Sequence, residues 1–91
     1  MFYVYVIYSA NGDCYYRGFS EQPIERLGQH NNAESRYTSR FDDWKLFHLE
    51  EYSTKKEALI REKRVKKYSK SQIVELSKSS KNMLHKFHSD H

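Results

Sequence analysis

Residues 2–20 constrain the fold more tightly than any other stretch of this chain. Phe2 to Tyr8 (FYVYVIY) and Cys14 to Phe19 (CYYRGF) are two runs of β-branched and aromatic residues with Asn11-Gly12 between them. Such residues suit a pleated surface, and Asn-Gly flanked by them predicts a β-hairpin, because both residues accept the positive φ of a tight turn whose twist matches the strands. A two-residue turn there also sets the register. Opposed residues then sum to 23, so Ile7 faces Tyr16 and Tyr5 faces Gly18, with Tyr5 and Tyr16 diagonal neighbours on one face.

The rest of the chain adds one strand and three helices. Pro23 suits the first turn of a short helix, Pro23 to Asn31, which Asn31-Asn32 ends. Residues 32–43 read as loop. Trp44 to Tyr52 (WKLFHLEEY) alternates Trp44, Leu46 and His48 against Lys45, Phe47 and Leu49, as a third strand would. Thr54-Lys55-Lys56-Glu57 fits a capping box opening a helix to about Lys67, and Ser69-Lys70-Ser71-Gln72 fits a second one opening a helix to about Ser80. The order β-β-α-β-α-α predicts an α+β fold, a small three-stranded antiparallel sheet flanked by helices.

With 91 residues there is room for a single domain. We place it at residues 1–80, with 81–91 as a short tail, since one Pro and three Gly leave no linker or repeat before the Ser- and Lys-rich stretch at 69–81. Eight Tyr and five Phe must carry much of the core. The lone Cys14 can form no disulfide within the chain and reads as packing, which leads us to expect a reducing, cytoplasmic setting. No apolar run approaches the roughly 18 residues of a membrane span, and Met1 to Tyr8 lacks the basic start of a signal peptide, so no membrane partner is expected. Sixteen Lys and Arg against twelve Asp and Glu give a net charge of +4, a lean toward a polyanionic partner.

Three groupings carry chemistry. Tyr5 and Tyr16 share a face, where strand tyrosines are more often core than site. Arg26 and His30 are spaced i, i+4 and share one stripe of the first helix, putting a fixed cation beside a titratable base; such a pair is more often a solvated face. On the second helix Ala58, Glu62 and Val65 follow i, i+4, i+7, so Glu62 lies within the apolar stripe. A carboxylate there needs a cation such as Arg26, a divalent metal, or a rotation that returns it to water. Arg61 to Lys70 (REKRVKKYSK) is dense in cations with Tyr68 among them, which suits a phosphate backbone or simple solubility.

Val4-Tyr5-Val6, Tyr16-Arg17-Gly18, Ile24-Glu25-Arg26-Leu27-Gly28-Gln29-His30-Asn31, Tyr37-Thr38 and Glu57-Ala58-Leu59-Ile60-Arg61-Glu62-Lys63 together resemble, in order and spacing, the motifs of the GIY-YIG nucleases, in their small single-domain bacterial form. The resemblance runs from about Tyr3 to Ser80. The first tripeptide, Val4-Tyr5-Val6, varies from the family's name motif, the second has Arg17 in place of an apolar residue, and the register turns Arg17 away from Tyr16, toward solvent or phosphate.

That resemblance implies a metal-dependent endonuclease acting on DNA, branched or single-stranded forms included, with a protein partner left open. It places Mg²⁺ or Mn²⁺ on Glu62, gives Tyr5, with His30, the activation of water, has Tyr16 position water or phosphate, and assigns Arg26 to the charge of the transition state. Arg17, Tyr37, Lys63, Lys66, Lys67 and Lys70 are the candidate nucleic-acid contacts, and Asn82 is the candidate equivalent of a late asparagine near the family's site. Two alternatives differ in class: a binding module of the same fold that cleaves nothing, and an interaction domain docking through Met83 to His88. His85, His88 and His91, three apart, would bind a transition metal only if helical, and a frayed tail is the simpler reading.

Overall fold

The computed structural model describes residues 1–84 and has the expected order: β1 (Phe2–Ser9), β2 (Cys14–Ser20), α1 (Pro23–Asn31), β3 (Trp44–Tyr52), α2 (Lys55–Val65) and α3 (Lys70–Ser77). The sheet is antiparallel with strand order β2-β1-β3, so β1 is central. Val4 and Val6 turn one face of β1 toward Ala58 and Val65 of α2 and Ile73 and Leu76 of α3. Tyr5 and Ile7 turn the other face toward Leu49, Trp44 and, from α1, Leu27. A central strand buried on both sides explains why FYVYVIY carries no charge. No helix of the described residues is long and apolar enough to cross a membrane.

The β1–β2 register is the predicted one, with Tyr5 opposite Gly18 and Ile7 opposite Tyr16. The turn is not. Pairing stops at Ser9 and Cys14, leaving a four-residue connection, Ala10 to Asp13, closed by the Asp13 N–H donating to the Ala10 carbonyl at 3.3 Å. The left-handed residue is Asp13 (φ 47°), and no glycine has positive φ. The reason lies 30 residues on, where the Asp43 carboxylate accepts from the Ser9 hydroxyl (2.6 Å) and the Asn11 N–H (2.9 Å), while the Gly12 N–H donates to Ser9 Oγ (3.1 Å). Side-chain acceptors thus replace the last ladder bonds. Gly12 is needed for room, since a β-carbon there would run into the Phe41 ring.

β3 also departs from simple alternation. Val6 pairs with His48 but Ile7 pairs with Leu46, so Phe47 is a bulged residue without a partner on β1. The bulge shifts the phase. Leu49 joins Trp44 and Leu46 on the α1 side, whereas His48 crosses to the face of Val6 and, with it, Glu50 and Tyr52. Phe47 is held on that same side by the rings of Tyr8 (6.1 Å between centroids) and Tyr15 (5.0 Å).

Helix ends follow their capping chemistry. Thr54 accepts from the Glu57 N–H, and Ser69 and Gln72 form a complete capping box. α2 stops at Val65 and α3 at Ser77, each a little before its predicted end. α1 closes as a Schellman motif: the Glu34 N–H donates to the Gln29 carbonyl (2.9 Å) and the Ala33 N–H to that of His30 (3.3 Å), with Ala33 at φ 60°, where glycine is usual. The Asn31 side chain then grips both backbone groups of Trp44, at 2.7 and 2.9 Å, tying the end of α1 to the start of β3.

Two features secure the α2/α3 side of the sheet and its β3 edge. Glu50, almost fully buried, accepts from Arg61 Nε (2.8 Å) and Nη2 (3.2 Å), from His48 Nε2 (2.7 Å) and from the Tyr52 hydroxyl (2.5 Å). Beyond α3, Asn82 Oδ1 accepts the Leu49 N–H (3.2 Å) and the Met83 N–H donates to the Leu49 carbonyl (2.7 Å), so residues 82–83 cover the free edge of β3. His85, His88 and His91 lie outside the described residues.

Candidate active site

The hairpin register and the α1 stripe converge on one point. Tyr5 is 2% exposed and lies across Gly18 of the neighbouring strand, where an added β-carbon would overlap the phenol ring and hydroxyl. Only glycine leaves that seat free, an instance of a strand glycine marking a close approach. From α1, fully buried His30 brings Nε2 to 2.8 Å from the Tyr5 hydroxyl. Its other nitrogen, Nδ1, is 2.6 Å from the hydroxyl of buried Thr38. The Tyr16 ring closes the group, its centroid 5.0 Å from that of His30.

Thr38 is itself fixed. Its N–H donates to the Ser35 carbonyl (3.3 Å) and its carbonyl accepts from the Trp44 indole (3.0 Å). The chain Tyr5–His30–Thr38 therefore runs from β1 through α1 into a loop anchored on β3. Thr38 carries no role legible in the sequence, since nothing in its local pattern shows that its hydroxyl meets an imidazole eight residues earlier.

The electrostatics keep both titratable groups neutral. Burial, then the repulsion of Arg26, lowers His30 to about 4. Burial, then Tyr16 and, more weakly, Glu62, pushes Tyr5 up to about 12, against the opposing pull of the Arg26 charge. Arg26 and Glu62 are thus both within electrostatic reach of the Tyr5 hydroxyl. Arg26 Nη1 donates to Gln29 Oε1 at 2.7 Å, and the two line a small polar cleft with Ser20, Gln22 and Glu25.

Glu62 comes from α2 with its side chain 16% exposed, and its ion pair is with Lys66, one turn on, at 3.7 Å. Neither the expected Arg26 partner nor full solvation describes it. It is a half-buried carboxylate with a loose partner, leaving oxygen lone pairs free for a hard cation. Among the described residues no group of three or more His, Cys, Asp or Glu is placed to hold a metal, so a divalent cation here would take one carboxylate and keep most of its water, as magnesium does. The residues present fit that ion.

The remaining candidates are dispersed. Arg17 turns away from Tyr16 as predicted, but its Nη2 donates to the Tyr68 carbonyl (2.8 Å) beneath the α2–α3 junction. Lys70 reaches back to the hairpin turn, 2.8 Å from the Asp13 carbonyl. Lys63 lines the outer face of α2 with Lys55, Lys56, Leu59 and Ile60, and Lys66 flanks Glu62. Lys67 and Tyr37 are exposed. Asn82 spends its amide on Leu49, Leu84 and Ser77, on the far edge of the sheet from β2.

The family model described as the GIY-YIG catalytic domain matches residues 1–75. A UPF0213 protein of Halobacterium salinarum is 36% identical over 73 residues, covering 79% of this chain and 94% of that protein. UPF0213 proteins of Staphylococcus epidermidis and Staphylococcus saprophyticus are 32% and 31% identical over 75 residues, each alignment covering 81% of this chain and 90% of the relative. No solved structure matches. A match over most of its length, on a β-β-α-β-α-α fold, makes this chain a member of the GIY-YIG nuclease family.

Proposed function

We propose that the chain is a divalent-metal-dependent endonuclease that hydrolyses phosphodiester bonds in DNA at the Tyr5, Tyr16, Arg26, His30 and Glu62 site. The observation that carries the proposal is the 2.8 Å contact between the Tyr5 hydroxyl and His30 Nε2, backed by Thr38 at 2.6 Å. A neutral imidazole with its proton on Nδ1, donated to Thr38, leaves Nε2 to accept the phenol proton. Tyr5 at about 12 is a protonated phenol at neutral pH, so it serves as a base only while passing its own proton to His30: water gives a proton to the phenol oxygen as the phenol gives one to Nε2. Tyr16 positions the water or the phosphate. Arg26, half-buried and parked on Gln29, presents its planar fork of donors to the charge building on phosphate oxygens. A Mg²⁺ or Mn²⁺ held by Glu62 supplies, when bound, further positive charge at the phosphate and the leaving 3′ oxygen.

The test is incubation of the full chain with labelled duplex, branched and single-stranded DNA in Mg²⁺ or Mn²⁺, against EDTA and against Tyr5→Phe. Cleavage is expected with metal only, and Tyr5→Phe is expected to be about 10²- to 10⁴-fold slower. The rate should show no step near pH 6.5, the ordinary imidazole value, because folded His30 stays neutral down to about 4. Salt-sensitive binding with no metal-dependent cleavage of any substrate would overturn the reading in favour of a binding module.

A second expectation follows from the seat of the phenol. Gly18→Ala should leave the sheet intact at a cost of about 1–3 kcal/mol but displace Tyr5 from His30. Cleavage should fall at least about 100-fold. Thermal melting separates the two effects, and a Gly18→Ala protein that cleaves at the full rate would show that the position of the phenol is immaterial.

A further inference from the structure

Tyr37 is 79% exposed, the most exposed large apolar or aromatic side chain among the described residues. Its backbone is not loose. The next residue, Thr38, is fully buried, with its carbonyl held by the Trp44 indole (3.0 Å) and its hydroxyl on His30 (2.6 Å). An aromatic ring held out in solvent on an anchored backbone buries little of its apolar body, so folding alone gives little reason for its identity.

Its distance from the chemistry is bounded by covalent geometry. From the Tyr37 Cα to that of Thr38, through the Thr38 hydroxyl, across the His30 ring and on to the Tyr5 hydroxyl, the path adds to at most about 14 Å. One strand of a duplex advances about 3.4 Å per nucleotide. The ring is therefore mounted within a few nucleotides of any phosphate held at Tyr5. Arg36 and Arg40, both exposed, flank it in the same loop, and Arg40 lies over the Phe41 ring at 5.6 Å. Cations interleaved with aromatic faces are the arrangement that holds unpaired strands, because every base offers a π-face whereas a duplex keeps its bases stacked on one another.

We propose that Tyr37 is a stacking platform for an unpaired nucleobase of the strand whose phosphate lies at Tyr5, so that single-stranded or locally unpaired nucleic acid is the preferred substrate class. The proposal rests on the nuclease reading above for the position of the phosphate; the platform itself is read by binding, without cleavage.

The experiment measures fluorescence anisotropy of a labelled ten-residue oligothymidylate and of a labelled 20-base-pair duplex, in EDTA at fixed salt, with the full chain, Tyr37→Ala and Tyr37→Trp. A stacked base is worth about 1–3 kcal/mol, so Tyr37→Ala should weaken oligothymidylate binding by about 5- to 100-fold and leave duplex binding within about twofold. Tyr37→Trp should restore binding, its added indole quenched on titration. The emission of buried Trp44, whose indole donates to Thr38, should match in full chain and Tyr37→Ala, showing that the loop is intact. Equal losses on both probes, or no loss on oligothymidylate, would overturn the platform. The two readings separate cleanly: a selective Tyr37 effect in a protein that cleaves nothing with Mg²⁺ sinks the nuclease and keeps the platform, and cleavage without that effect does the reverse.

Discussion

Glu62→Ala is expected to fold as the parent does and to lose cleavage by at least about 10³-fold, an effect of about 4 kcal/mol on the barrier. The loss should be large because among the described residues no group of three or more acidic, histidine or cysteine side chains is placed to hold a dication, so the single Glu62 carboxylate would carry the ion. The fold should survive because alanine is the best helix former, and because the one ion pair removed, to Lys66 at 3.7 Å, leaves a lysine already 54% exposed, worth under about 1 kcal/mol. Time courses of cleavage over a series of Mg²⁺ and Mn²⁺ concentrations, with melting curves beside them, give both quantities. Undiminished turnover in folded Glu62→Ala would remove the carboxylate from the mechanism.

The largest effect on stability is expected at the opposite face, where Glu50→Ala should cost about 3–5 kcal/mol, a large share of the 5–15 kcal/mol that holds a domain of this kind together. Glu50 is 3% exposed and both its oxygens are engaged; without it, His48 is fully buried with no partner for Nε2, and Arg61, only 12% exposed, loses the acceptors of Nε and Nη2 and keeps only Tyr68. The same contacts give a pH signature. Burial alone would raise the Glu50 carboxyl, but hydrogen bonds from His48, Arg61 and Tyr52 outweigh it and hold the group at about 2. The unfolded chain takes up that proton near 4.5 and the folded one does not. The contribution is therefore whole above pH 4.5 and drains away as the pH falls toward 2. Urea unfolding at neutral pH and in acid should show a steep loss for the parent in that window and a shallower one for Glu50→Ala. A variant within 1 kcal/mol of the parent at neutral pH would mean the cluster is dispensable.

What could be read in advance was local. The sum of 23 put Tyr5 over Gly18 because a hairpin carries its register in its own sequence, and the i, i+4 spacing put Arg26 and His30 on one stripe because helix geometry is fixed. What escaped was held by partners far along the chain. Asp43 reshapes a turn 30 residues earlier, Thr38 fixes the histidine from within a loop, and Glu50 meets Arg61 across a strand and a helix. The bulge at Phe47 is a subtler case: its strand pattern reads as strict alternation, and only the packing of Phe47 against Tyr8 and Tyr15 decides that one residue is skipped.

The closure of β3 by residues 82–83 bears on how this chain can meet other proteins. A bare strand edge invites a foreign strand to lengthen the sheet, and here that place is taken by a competitor tethered to the same molecule, present at an effective concentration in the millimolar range. An incoming strand must evict it first. The contested residue, Leu49, pairs directly with Tyr5, so any partner that won the edge, or any protease that trimmed the competitor away, would act one strand from the phenol.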